Sequence, residues 1–149
     1  MSNLQKGLVD VAKIILETTK KHSPQLIGYD KNNKCFIMCF PFFNDKDKEL
    51  MRIKIKQFII EKNIIKYYLI METWISVKNK DEVDMKNLVL PRYDKNRKEG
   101  LVVTEFDKGK NPKSKIIYFH RTESNAIVFG KESEFNEGKS IWNVWGEMD

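Results

Sequence analysis

Residues 64–78, IIKYYLIMETWISVK, constrain the fold more than any other stretch of the chain. β-branched and aromatic residues dominate it and neither Gly nor Pro interrupts it, so its length predicts the central strand of a sheet. Period two places Tyr68, Ile70, Glu72, Trp74 and Ser76 on one face and Tyr67, Leu69, Met71, Thr73 and Ile75 on the other. The second face is the more apolar and is expected to meet the core. Glu72 then stands among Tyr68, Ile70 and Trp74, where a carboxylate must either stay protonated or find a cation and hydrogen-bond donors.

Upstream, Leu4, Leu8, Val11, Ala12 and Ile15 recur at helical spacing, Ser2 or Asn3 can cap the start, and "SP" at 23–24 ends the helix. "QLIGYDKNNKCFIMCFPF" reads as two short strands around the turn DKNN, because Asp and Asn tolerate left-handed backbone and bond locally. A second helix follows Asn44, with Asp45 and Asp47 in its first turn and an apolar stripe of Leu50, Met51, Ile55, Phe58 and Ile59. Downstream, LVVTEF and KIIYFHR alternate around DKGKNPKS, the mark of a hairpin, and AIVFG adds a further short strand. The expectation is one α+β domain over residues 1–149. Its order is α-β-β-α-β-β-β-β, with a mainly antiparallel sheet of five to six strands and both helices on one face. A long polar loop spans about residues 79–98. Profilin-like and roadblock-like domains resemble this layout, a similarity that carries no function.

Composition narrows the function classes. A hydrophobic content of 41% suffices for a core. No run approaches the ~18 apolar residues of a membrane helix, and the N-terminus lacks a secretory layout, so a cytoplasmic protein with no membrane role is expected. Cys35 and Cys39, if on one strand, have Cα atoms about 13 Å apart and cannot bridge each other, which suits a reduced compartment. The +6 charge comes from 27 Lys and Arg against 21 Asp and Glu. Only Arg52, Arg92, Arg97 and Arg121 offer the forked geometry that reads base edges. The Lys-rich loops DKGKNPKSK and YDKNRK, with Tyr118, Phe119 and His120 nearby, keep nucleic-acid binding as a weak alternative. His22, His120, Cys35 and Cys39 do not have zinc spacing, so neither metal nor cofactor is expected. No phosphate-binding or nucleophile-elbow motif occurs.

The polar segment PRYDKNRKEG supplies the expected neutralising partner of Glu72: Arg97 or Arg92, with Asp94 and Glu99 completing the cluster and Trp74 as an apolar wall. Such a cluster holds a loop over the sheet, forms a pocket for a small ligand or peptide, or, as a further alternative, uses Glu72 as a general acid or base. No nucleophile-and-base pair accompanies it, so no catalytic residue is assigned.

METWIS followed by LPRYDKNRKEGLVV resembles a family of small uncharacterised phage and bacterial proteins, in which a Glu-x-Trp strand precedes a Pro, an acidic residue and Arg-x-Glu. The matching positions are Glu72, Trp74, Pro91, Asp94, Arg97 and Glu99. Thr73 and Arg92 depart from the alanine and serine of that pattern. The resemblance implies a similar fold and a phage-type accessory or regulatory protein in the host cytoplasm, with no assigned activity. At the C-terminus Trp142 and Trp145, with Ile141 and Val144, form an apolar patch that either closes the core or supports a protein partner, including a homodimer.

Overall fold

The computed structural model describes residues 3–39, 45–75, 98–136 and 143–145. Two helices and six strands follow in the order α1 (Asn3–Thr19), β1 (Gln25–Asp30), β2 (Cys35–Cys39), α2 (Asp45–Glu61), β3 (Ile64–Ile75), β4 (Lys98–Asp107), β5 (Lys113–Arg121) and β6 (Ile127–Asn136). All pairings are antiparallel, in the spatial order β2-β1-β3-β4-β5-β6. The sheet and the element order agree with the sequence expectation, and β3 is indeed interior to the sheet. β6 continues beyond AIVFG as far as Asn136.

Turn chemistry sets the connections. In the β1–β2 hairpin the Asp30 carboxylate accepts the backbone N–H groups of Asn32 and Lys34, both at 2.9 Å, and Asn33 takes the left-handed conformation at φ 61°. Lys20 ends α1 at φ 67° and Asn63 ends α2 at φ 52°, each the left-handed residue that closes a helix.

The helices occupy opposite faces of the sheet, which corrects the expectation of one shared face. On one side Val9, Ala12 and Leu16 of α1 pack on Ile27, Ile70, Leu101, Val103, Ile117 and Phe119. On the other, Ile55 and Ile59 of α2 pack on Leu26, Tyr67, Leu69 and Phe106. Successive residues such as Leu26 and Ile27, or Leu69 and Ile70, therefore enter different cores, as strand alternation requires. Neither face of β3 is a solvent face: Tyr67, Tyr68, Leu69 and Ile70 are all buried. An uninterrupted apolar run without clean alternation is what a strand covered on both sides needs.

Each core has a polar anchor. Gln5, fully buried in the first turns of α1, donates its amide to the carbonyls of Val103 and Lys113 at 3.2 and 3.3 Å. In the other core the Val144 N–H donates to the Tyr67 hydroxyl at 3.1 Å, and Trp145 lies against the Tyr67 ring with centroids 5.1 Å apart. Val144 is buried, so this described part of the tail closes the core. Trp142 and Ile141 lie outside the described residues.

Candidate ligand-binding site

Glu72 is half-buried on the α1 face of β3, and its cation is Arg121 at the end of β5. Arg121 Nη2 lies 3.4 Å from Glu72 Oε1, and Nε lies 3.3 Å from Glu99 Oε1 of β4. The register explains the convergence: Glu72 pairs with Leu101 and Glu99 with Phe119, so the ends of β3, β4 and β5 present these three side chains to one face. Arg121 Nη1 also donates to the Lys20 carbonyl at 2.6 Å. That carbonyl ends α1, where the helix dipole is negative, so the guanidinium caps the helix and two carboxylates together.

The linker after α1 completes the cluster. The His22 backbone N–H lies by the Glu72 carboxylate and favours its charged form. Burial raises the Glu72 pKa above its ordinary value; the Arg121 charge and this N–H oppose the shift, and nearby Glu99 adds to it. His22 is itself buried and its Nδ1–H donates to the Ser23 carbonyl at 2.8 Å, which leaves Nε2 as the acceptor nitrogen, buried and without a partner among the described residues. Burial holds the imidazole below its ordinary pKa, although the Ser23 contact pulls the other way.

Of the residues anticipated from sequence, Glu72 and Glu99 meet through Arg121. Trp74, which pairs with Glu99 across the β3–β4 ladder, is partly exposed at the rim. Arg92, Asp94 and Arg97 lie outside the described residues. Arg121, Lys20 and His22 were not anticipated. The signal for Arg121 was present: alternation from Ile117 through Phe119 carries it onto the core face, where a lone guanidinium calls for an acid.

Beside this cluster opens a cavity of about 440 Å³, lined by Lys98, Glu99, Tyr118, Phe119, His120, Arg121 and Gly130. Its shape follows from an irregularity. The β5–β6 register shifts between Ile117 and Phe119, a bulge in which two residues of β6, Gly130 and Lys131, stand against the single Tyr118 of β5. Gly100 stands opposite Tyr118 and, continuing that register, Lys98 stands opposite His120. Lys98, Tyr118 and His120 thus share the α2 face of the sheet, while Glu99, Phe119 and Arg121 reach the α1 face, and the hollow takes in residues of both at the strand ends. Lys98 Nζ lies 5.9 Å from the Tyr118 ring centroid and the Arg121 guanidinium 5.5 Å from that of Phe119. A Cβ added to Gly130 would meet only the Tyr118 carbonyl, at an ordinary 3.7 Å, so the missing side chain leaves space rather than relieving a clash.

A second polar group lies at the opposite end of the same sheet face. Lys66 Nζ is 2.7 Å from Glu105 Oε1, and the buried Tyr68 hydroxyl donates to that same oxygen at 3.0 Å. Burial pushes the Glu105 carboxyl up, but the Lys66 and Tyr68 hydrogen bonds outweigh it and the net shift is downward. This group ties Tyr68 of β3 to its cross-strand partner Glu105 of β4 and fixes the register of that pair.

Among the described residues no three His, Cys, Asp or Glu side chains converge as metal ligands, and no helix is long and apolar enough to cross a membrane. Compared with known proteins, the chain matches no family model, no curated protein and no solved structure.

Proposed function

We propose that this chain acts by binding, and that it holds a small anionic molecule in the hollow between Lys98, Tyr118 and Gly130. The observation that supports this most is the coincidence of three features at one place: a bulge in β6 opposite Tyr118, a glycine that leaves room, and a cavity lined in part by Arg121, the residue that holds Glu72 and Glu99. Lys98 is the cation that can turn toward a carboxylate or phosphate, Tyr118 is a flat apolar platform, and His120 adds a further donor. Glu72 and Glu99 are positioning residues that keep Arg121 from swinging out of the wall. The setting, a phage-type accessory or regulatory protein, rests on the resemblance of the Glu72 to Glu99 region.

Native mass spectrometry of the purified protein, followed by denaturing release and identification of small molecules, tests this reading. Wild type is expected to carry an anionic compound that is lost from both Lys98→Glu and Gly130→Val, with unchanged far-ultraviolet circular dichroism in each. Gly130→Val fills the hollow without touching a charge, so loss in Lys98→Glu alone would indicate surface electrostatics. Protein free of any compound, showing no thermal shift across a library of carboxylates and phosphates, would refute the proposal.

A further inference from the structure

α1 carries more apolar surface than its own core uses. At 100° per residue, Gln5, Val9, Ala12 and Leu16 form the buried face, while Lys6, Asp10, Lys13 and Glu17 form one flank. That charged flank points toward β6, because Lys13 is 2.7 Å from Glu132 and lies over the Phe129 ring. The opposite flank, Leu4, Leu8, Val11 and Ile15, therefore points toward β1 and β2, and its 4-3-4 spacing is that of a helix-packing seam.

Among the described residues, three observations leave this flank without a partner. Leu4 is 42% exposed, Val11 54% and, on the helix top, Ile14 63%. Beyond the flank, Ile37 of β2 is 62% exposed on the same sheet face, since it pairs with Ile27, an α1-face core residue; Cys35 and Cys39 beside it are exposed too. Gly7, on the helix top one turn before Val11, has nothing within 4 Å of where its Cβ would stand. The missing side chain leaves room on the helix top for another backbone to come close.

The dimensions fit a helix laid beside α1. α1 centres on β4, and β1 runs two strands away, about 10 Å, which is the separation of packed helices. The occupant must show an apolar flank to the seam and a small, apolar top to Ile37, with its charges turned away. α1 itself meets that description: its top is Gly7, Ile14 and Thr18, and every charged residue from Lys6 to Glu17 is on the far flank. We propose that two copies of this chain pair face to face about a two-fold axis, each α1 laid over the β1–β2 edge of the other with its top against the exposed Ile37 of β2, and packed flank to flank against the other's α1. The exposed Leu4, Val11, Ile14 and Ile37 supply the apolar centre of such an interface, which in a standard complex buries about 800 Å² per partner. Isologous pairing buries this surface in both copies at once.

Light scattering and sedimentation equilibrium of the full chain should give twice the monomer mass. Ile14→Glu should weaken association roughly a hundredfold with unchanged circular dichroism, as for a central contact. Lys6→Glu, on the charged flank, should leave it unaltered. Independently of folding effects, Ile14→Cys should give a covalent dimer under mild oxidation that is abolished by adding Cys35→Ser and Cys39→Ser. A wild-type monomer at submillimolar concentration overturns the proposal and leaves the seam to another protein's helix. A dimer that survives Ile14→Glu, or an Ile14→Cys protein whose cross-linking ignores Cys35 and Cys39, overturns this face as the interface.

Discussion

Arg121 and Glu72 are 49 residues apart in sequence, yet a guanidinium nitrogen of one lies 3.4 Å from a carboxylate oxygen of the other, each side chain 28% exposed. Glu99 and the end of α1 share the same guanidinium, so removing it leaves two carboxylates facing each other beside a negative helix terminus. Arg121→Ala is expected to cost about 2–3 kcal/mol in urea denaturation. Arg121→Lys should recover less than half, because an ammonium cannot make three divergent contacts in one plane. A loss below ~0.5 kcal/mol would show the cluster to be solvated.

The pH dependence separates Glu72 from His22. Burial raises the folded-state pKa of Glu72 above its ordinary 4.5, so its protonated form favours folding below 4.5, and that advantage fades as pH rises through the raised value. Glu72→Gln should therefore gain stability relative to wild type between pH 4 and 7. His22 is held below its ordinary 6.5, so the unfolded chain binds the proton more readily, and stability falls as pH drops below 6.5. His22→Gln should flatten that acid limb. Urea midpoints measured at half-unit pH steps would show both effects, and parallel wild-type and variant curves would contradict them.

Gly28 in β1 faces the α2 core, and a Cβ there would meet two side-chain carbons of Ile64 at 3.0 Å and Tyr67 Cβ at 3.4 Å. Ile64 is buried against α2 and has little room to yield. Gly28→Ala should destabilise by about 1–2 kcal/mol as overpacking, and pairing it with Ile64→Val should restore part of the loss. An additive double variant would show that the two sites do not touch.

Gln5 ties α1 to β4 and β5 from inside the core. Gln5→Leu, of similar volume, leaves the Val103 and Lys113 carbonyls without this donor and should cost about 1–2 kcal/mol. Amide exchange should quicken along α1 more than along α2, since Gln5 belongs to the first helix. Equal quickening in both helices would point to global destabilisation instead.

The tail prediction concerns Tyr67. Deleting residues 140–149 removes Val144 and Trp145 from a cluster that includes Tyr67 and Phe106, and should give a poorly soluble or molten product. Tyr67→Phe tests the Val144 N–H contact more gently, with an expected loss of about 1 kcal/mol. A fully native truncated chain would make the tail dispensable.

Local pattern made the elements legible. Hairpin turns, strand composition and helix ends were readable because Asp30, Asn33 and the alternation in β4 and β5 act within a few residues. Sidedness was less so. The stripe Leu4, Leu8, Val11, Ala12 and Ile15 looks like a core face, yet only Ala12 of the five is buried; Val9 and Leu16 do that work, and two apolar stripes on one helix cannot be ranked by spacing alone. Nor does a strand apolar on both faces reveal which helix takes which side. Glu72 was identifiable as a carboxylate in need of a partner, but its cation depended on register across two ladders, which places Arg121 beside it through contacts no local pattern encodes.

The bond from Arg121 to the Lys20 carbonyl spans 101 positions. During synthesis the first helix is complete long before β4 and β5, its seat, have left the ribosome. Its apolar sides wait uncovered until those strands emerge, which leaves this helix open to premature association in the growing chain.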